Sequence, residues 1–286
     1  MPYLQWAEMP DELGYTPAGK TVKKLKPGYY DIEMSSSGQV FFLPIRSRTD
    51  DLIKFPDSAS LEVLEGIRDF WDREKKFRQY GLPFKRGILL YGPPGSGKSC
   101  TLQLVSREVV ERGGIVVTFD PGTFLAGYRA LRDVEPTTPL VVLMEDFESY
   151  MRSSGLQSRI LNLLDGVEEL DRVVFIATTN YPEELEDRII NRPSRFDLRV
   201  CVDFPSDDAR RLYLESIVQP GDEVDIERYV KDTQGLSLAH VKELFVSTHI
   251  LGADYDGSVE RLQSMASEKV SGSGTVRAGD QVGNYI

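Results

Sequence analysis

The sequence predicts an α/β protein, a parallel five-stranded sheet with helices on both faces, followed by an all-helical region. Three observations predict it. Short, unbroken apolar runs of strand length recur along the chain, as in strands buried on both faces. Amphipathic segments at helical spacing separate those runs, which calls for crossover connections and parallel pairing. At one strand-to-helix junction stands Gly92-Pro93-Pro94-Gly95-Ser96-Gly97-Lys98-Ser99, which fits G-x-x-x-x-G-K-[ST] at every fixed position.

In chain order, residues 1–56 read as a small amino-terminal β module. Its centre is a hairpin, Gly28 to Met34 and Gln39 to Ile45, joined through Ser35-Ser36-Ser37-Gly38. Lys20, Lys23, Lys24 and Lys26 precede it as a solvated flank. Ser58 to Tyr80 has a helical pattern with Leu61, Leu64, Ile67 and Trp71 on one stripe. Gly87 to Tyr91 is the first buried strand, and the helix after the glycine loop carries Leu102, Val105 and Val109 at helical spacing until Gly113-Gly114 stops it. Ile115 to Phe119, Leu140 to Met144, Val173 to Thr178 and Leu198 to Val202 supply the remaining strands, which closes an α/β domain at 57–205. Helical patterns at 206–218, 225–234, 237–251 and 258–269 form a carboxy-terminal lid, 206–270. The glycine- and serine-rich 271–286 reads as a flexible tail.

The glycine loop is an ATP site in this reading, and the fold class is that of the P-loop NTPases. Pro93 and Pro94 have no N–H, so the amides from Gly95, Ser96, Gly97, Lys98 and Ser99 to Cys100 hold the phosphates, aided by the helix dipole. Lys98 reaches the β and γ phosphates and the Ser99 hydroxyl binds Mg²⁺. In a parallel sheet the ligand lies at the carboxyl ends of the strands. Glu145, Asp146 and Asn180 stand at such ends and are expected to converge on the loop, one carboxylate supporting Mg²⁺ and another orienting the attacking water. The bland alternative is a pair of solvated acids at a strand end.

Composition narrows the class. With 41% hydrophobic and 28% charged residues, the chain is a globular protein with a sizeable core. A net charge of −11 disfavours, without removing, a nucleic-acid partner. The only cysteines, Cys100 and Cys201, do not make a disulfide framework, so a reducing, cytoplasmic setting is expected. No apolar run suggests a membrane span.

The stretch from Gly81 through Ser99 resembles the AAA ATPases (ATPases associated with diverse cellular activities). Ala177-Thr178-Thr179-Asn180 resembles that family's sensor 1, and Arg192-Pro193-Ser194-Arg195-Phe196-Asp197 its arginine-finger segment. The resemblance spans about 58–270. It implies the AAA+ fold, ATP and Mg²⁺ as ligands, and a homo-oligomeric ring, usually a hexamer, in which Arg192 and Arg195 enter a neighbour's site. It also implies that Asn180 senses the γ-phosphate. Without the family, those arginines would read as surface charges. Three departures stand out. The usual Asp-Glu order of Walker B is reversed to Glu145-Asp146, as in the mitochondrial branch of the family concerned with respiratory complex III assembly, which gives Asp146 the water-orienting role. The aromatic loop of protein-threading members is met only by Phe124-Leu125-Ala126-Gly127, and Phe124 with Tyr128 reads better as one helix face. Gly235 to His240 resembles the sensor 2 region with Ala239 where some relatives carry arginine, so adenine is expected to meet apolar and backbone contacts. His240 and His249 are the only histidines, form no H-E-x-x-H, and read as helix-surface or packing residues.

Three functions are consistent with these residues. The first is a ring ATPase that remodels a protein or an assembly. The second is a nucleotide-gated scaffold with little hydrolysis, and the third an ATPase acting on DNA.

Overall fold

The structure is a computed structural model and describes residues 5–8, 14–18, 22–46, 58–166, 168–185, 189, 192 and 194–267. The tail, Lys20, Pro193 and the junction near residue 56 lie outside the described residues.

The apolar runs pair as their composition requires. Strands β1 (Gln5–Glu8), β2 (Tyr15–Ala18), β3 (Gly28–Met34), β4 (Val40–Ile45), β5 (Lys85–Tyr91), β6 (Ile115–Thr118), β7 (Leu140–Met144), β8 (Val173–Thr179) and β9 (Leu198–Cys201) form one sheet in the order β1-β2-β4-β3-β6-β7-β8-β5-β9. The run from β3 to β9 is parallel, and the other pairs are antiparallel. The five strands read from the sequence are present, and the parallel sheet gains a sixth from the amino-terminal hairpin. Gly28, Tyr29 and Tyr30 lie in register with Ile115, Val116 and Val117, so the hairpin extends the sheet instead of standing beside it. A buried carboxylate ties the rest of the amino-terminal region to the same domain. Glu135, 4% exposed, accepts hydrogen bonds from Trp6 Nε1 (2.9 Å), the Leu25 amide (2.6 Å) and Thr138 Oγ1 (2.6 Å). Trp6 and Leu25 are far from Glu135 in the chain, and no local pattern announces them.

The central strands bury both faces. In β8 every residue is buried, with Val173, Phe175 and Ala177 on one side and Val174 and Ile176 on the other. Each of these valines, Phe175 and Ile176 contributes about 1.5–3 kcal/mol relative to exposure. Helices α1 (Ser58–Asp72), α2 (Glu74–Gln79) and α3 (Lys98–Glu111) are on the side of Ile176; α4 (Phe124–Val134), α5 (Phe147–Met151) and α6 (Ser154–Asp165) are on the side of Phe175. The helix expected across Ser58 to Tyr80 breaks at Arg73, whose ψ of 14° leaves the helical range. Its core stripe is Val63, Leu64, Ile67 and Phe70, while Leu61 faces out. Phe124 and Tyr128 are buried on α4, as the helix-face reading expects, and neither is exposed to grip a substrate.

The lid has its own core of Leu214, Tyr229, Val230, Val241, Leu244, Phe245 and Leu262. Its helices are Asp207–Ile217, Ile226–Asp232, Leu238–Phe245 and Tyr255–Ser267. Ser206, Asp225 and Ser237 cap the first three by accepting from Ala209, Arg228 and His240 amides. The expected continuation of the third helix to Leu251 is a π-helical turn, Val246–Ile250.

Candidate active site

The loop between β5 and α3 takes a shape that its glycines permit. Gly92, Gly95 and Gly97 have φ of 153°, 74° and 106°. A Cβ on Gly92 would stand 2.1 Å from the Val202 carbonyl oxygen, and one on Gly95 would stand 2.8 Å from Ser237 Cβ. The cradle is therefore walled by the residue that follows β9 on one side and by the lid on the other. Lys98 is 6% exposed, and its ammonium donates to the carbonyls of Gly92 and Pro93, both at 2.8 Å. Burial lowers its pKa, opposed by the nearby charges of Glu148 and Asp146.

The strand-end residues do converge. Ser99 Oγ donates to Glu145 Oε2 at 3.5 Å, which joins the end of β7 to the start of α3. Asp146 is left-handed, with φ of 49° and ψ of 54°, and stands at the N-cap of α5. Its amide donates to Thr178 Oγ1 at 3.3 Å and its Oδ1 accepts from Asn180 Nδ2 at 3.4 Å, both from the end of β8. Aspartate is among the few non-glycine residues at ease in this conformation, which gives the reversed Glu-Asp order a local cause. Ser99 Oγ and the Glu145 carboxylate are hard oxygen donors beside a phosphate cradle, a set that fits Mg²⁺. Cys100, half-buried in the first turn of α3, contributes its amide to the helix N-terminus.

Sequence reasoning missed Glu148. It is 5% exposed on α5, and its Oε2 has no hydrogen-bond partner among the described residues. It also missed Ser237, the lid residue that meets Gly95; Ala239, expected near adenine, is exposed on the same helix. A serine preceding a helical run announces a cap. Nothing local announces that the cap lies on the phosphate loop.

The arginine segment stands apart from these residues and is satisfied within the chain. Arg195 donates from Nε and Nη2 to the two oxygens of Asp165, both at 2.8 Å, and Arg192 Nη1 reaches Asp165 at 3.0 Å. Arg195 is 6% exposed at its side chain and Arg192 58%. Of the two, Arg192 is the one presented to solvent. Asp165, at the end of α6, was not singled out from sequence. Hydrogen bonding from Arg195 holds its carboxyl below the usual carboxylate range.

Residues 88–204 match the family model described as "ATPase family associated with various cellular activities (AAA)". The "ATP-dependent zinc metalloprotease FtsH 2" of Salinibacter ruber is 29% identical over 250 residues, 76% of this chain and 36% of that protein. The "ATP-dependent zinc metalloprotease FtsH 1" of Conexibacter woesei is 30% identical over 230 residues, 70% of this chain and 34% of that protein. The chain thus spans about a third of the length of these curated relatives.

Proposed function

This chain belongs to the AAA family of ATPases, and from that premise we propose that it hydrolyses Mg-ATP within a homo-oligomeric, hexameric ring and uses the cycle to remodel a protein or a macromolecular assembly. The observation that carries the proposal is the meeting of Ser99, Glu145, Asp146 and Asn180 beside the phosphate loop. Lys98 exchanges its carbonyl partners for phosphate oxygens, a trade of neutral for charge-assisted hydrogen bonds. Mg²⁺, when bound, neutralises developing phosphate charge. Ser99 and Glu145 would hold it, Asp146 would orient the attacking water, and Asn180, which donates to the Asp146 carboxylate, would sense the γ-phosphate. Arg192, the exposed arginine of this segment, is the one proposed to act on a neighbour's nucleotide. Arg195 acts there only by giving up Asp165. The relatives named above are ATP-dependent and zinc metalloproteases; only the ATP-dependent half is proposed here, because the histidines of this sequence form no H-E-x-x-H.

The test is steady-state ATP hydrolysis against protein concentration, with sedimentation in parallel, for the native chain, Asp146→Asn and Arg192→Ala. Activity that rises cooperatively with concentration and is lost in both variants supports the ring ATPase. ATP-driven assembly with turnover no higher than that of Asp146→Asn favours the second reading, a nucleotide-gated scaffold. The pairing of Arg195 with Asp165 is the observation behind that reading.

A further inference from the structure

We infer that Glu148 is a positioning residue of the phosphate site, a buried carboxylate that competes with phosphate for the Lys98 ammonium and so loosens the hold on nucleotide. The inference rests on the ATP-site reading and assigns a residue to which that reading gives no role. Lys98 is 6% exposed, yet among the described residues it donates only to uncharged acceptors, the carbonyls of Gly92 and Pro93 at 2.8 Å and Ser96 Oγ at 3.5 Å. A buried ammonium with no anion in contact is costly, so a nearby opposite charge matters. Burial lowers the Lys98 pKa, and of the acids that oppose this Glu148 acts most strongly, ahead of Asp146. Exposure accounts for the order. Glu145 and Asp146 face solvent, which screens them, whereas Glu148, two residues past the left-handed turn at Asp146, is 5% exposed.

Burial also separates Glu148 from an ordinary acid at a helix start. An acid in the first turn gains from the helix dipole while it stays in water, and needs no burial for that. Here Oε2 is buried without a hydrogen-bond partner among the described residues, an arrangement that protein interiors seldom keep without a functional reason. That oxygen is an open acceptor, and the ammonium of Lys98 has three donors to distribute. Phosphate is an acceptor of the same kind, so two anions share one cation and each weakens the other's claim on it. Salt screens a buried charge little, and the opposition therefore persists at physiological ionic strength.

The experiment measures Mg-ADP affinity by displacement of a fluorescent nucleotide, steady-state kcat and KM for ATP, and melting of the nucleotide-free protein. It uses the native chain, Glu148→Gln, Glu148→Met, Glu148→Asp and Lys98→Ala. Both neutral variants are expected to tighten Mg-ADP about tenfold and to lower KM and kcat together, because product leaves more slowly. Glu148→Asp, which keeps the charge, should stay within about threefold of native. Glutamine and methionine match glutamate in length, one polar and one apolar, so either alone carries the test if the other does not fold. Mg-ADP affinity of a folded neutral variant within about twofold of native overturns the inference. So does weaker binding that follows a fall in melting temperature, or failure of both neutral variants to fold, because each marks a carboxylate needed for structure alone. Binding that is lost in Lys98→Ala but native in the neutral Glu148 variants sinks this inference and leaves the ATP site standing. Absence of nucleotide binding by the native chain sinks both.

Discussion

Two charged clusters of this chain, one at the phosphate loop and one at the arginine segment, are built in opposite ways. Among the acids and amide at the strand ends beside the phosphate loop the contacts are long and open. Ser99 to Glu145 and Asn180 to Asp146 span 3.4–3.5 Å, both acids are exposed, and Glu148 keeps a buried oxygen without a partner among the described residues. At the arginine segment Asp165 accepts from Arg195 twice at 2.8 Å, and again from Arg192 and Ser194. The first cluster has unspent hydrogen-bonding capacity, which suits a site that gains partners from a ligand. The second is saturated within one chain. An arginine there can serve a neighbouring site only if it is the exposed one or if it exchanges one carboxylate for another anion.

The largest expected effect tests whether the clusters act together. Lys98→Ala and Arg192→Ala should each lower ATP turnover about a thousandfold. Only the first should also abolish nucleotide binding, because Arg192 lies outside the cradle. Equal loss of binding in both would erase the contrast. The next effect concerns stability. Arg195→Ala leaves Asp165 without its bidentate partner but with Arg192 and Ser194, and should cost about 1.5–3 kcal/mol, the size of hydrogen bonds to a charged group, in a denaturant titration. Arg192→Ala, at an exposed position, should cost under about 1 kcal/mol. An Arg195 variant as stable as native would show that the saturated cluster contributes nothing to the fold.

Asp146→Glu would restore the commoner side-chain length at a left-handed position and is expected to cost about 1 kcal/mol without raising turnover. Faster turnover would show that reach, and not backbone geometry, governs this residue. The smallest effect is one of pH. Arg195 depresses the Asp165 pKa, so the native state binds fewer protons there than the unfolded chain does. The stability it confers is complete above the ordinary carboxylate pKa of about 4 and is lost as pH falls through its lowered folded value. Acid melts of Asp165→Asn, corrected for its lower stability, should therefore show a shallower decline below about pH 4 than native.

Much of this molecule was legible without coordinates, for a reason that can be placed residue by residue. Val173 to Thr179, Leu140 to Met144 and the loop from Gly92 to Ser99 are contiguous, and strand burial, helix dipole and glycine geometry act over a few neighbouring residues. The sequence by itself determined the strand runs, the parallel core, the phosphate loop, the starts of the first three lid helices, and the meeting of Glu145, Asp146 and Asn180. Strand ends in a parallel sheet have only one edge to share. Only the tertiary structure decided which distant groups close on one another. Glu135 seats Trp6 and Leu25, and the hairpin's first strand pairs with Ile115, Val116 and Val117. Asp165 takes Arg195 out of solvent, and Ser237 meets Gly95. These pairings join residues far apart in the chain, where each side chain alone is an ordinary acid, arginine or serine. Their partners are chosen by packing of whole elements, which no local pattern of residues encodes.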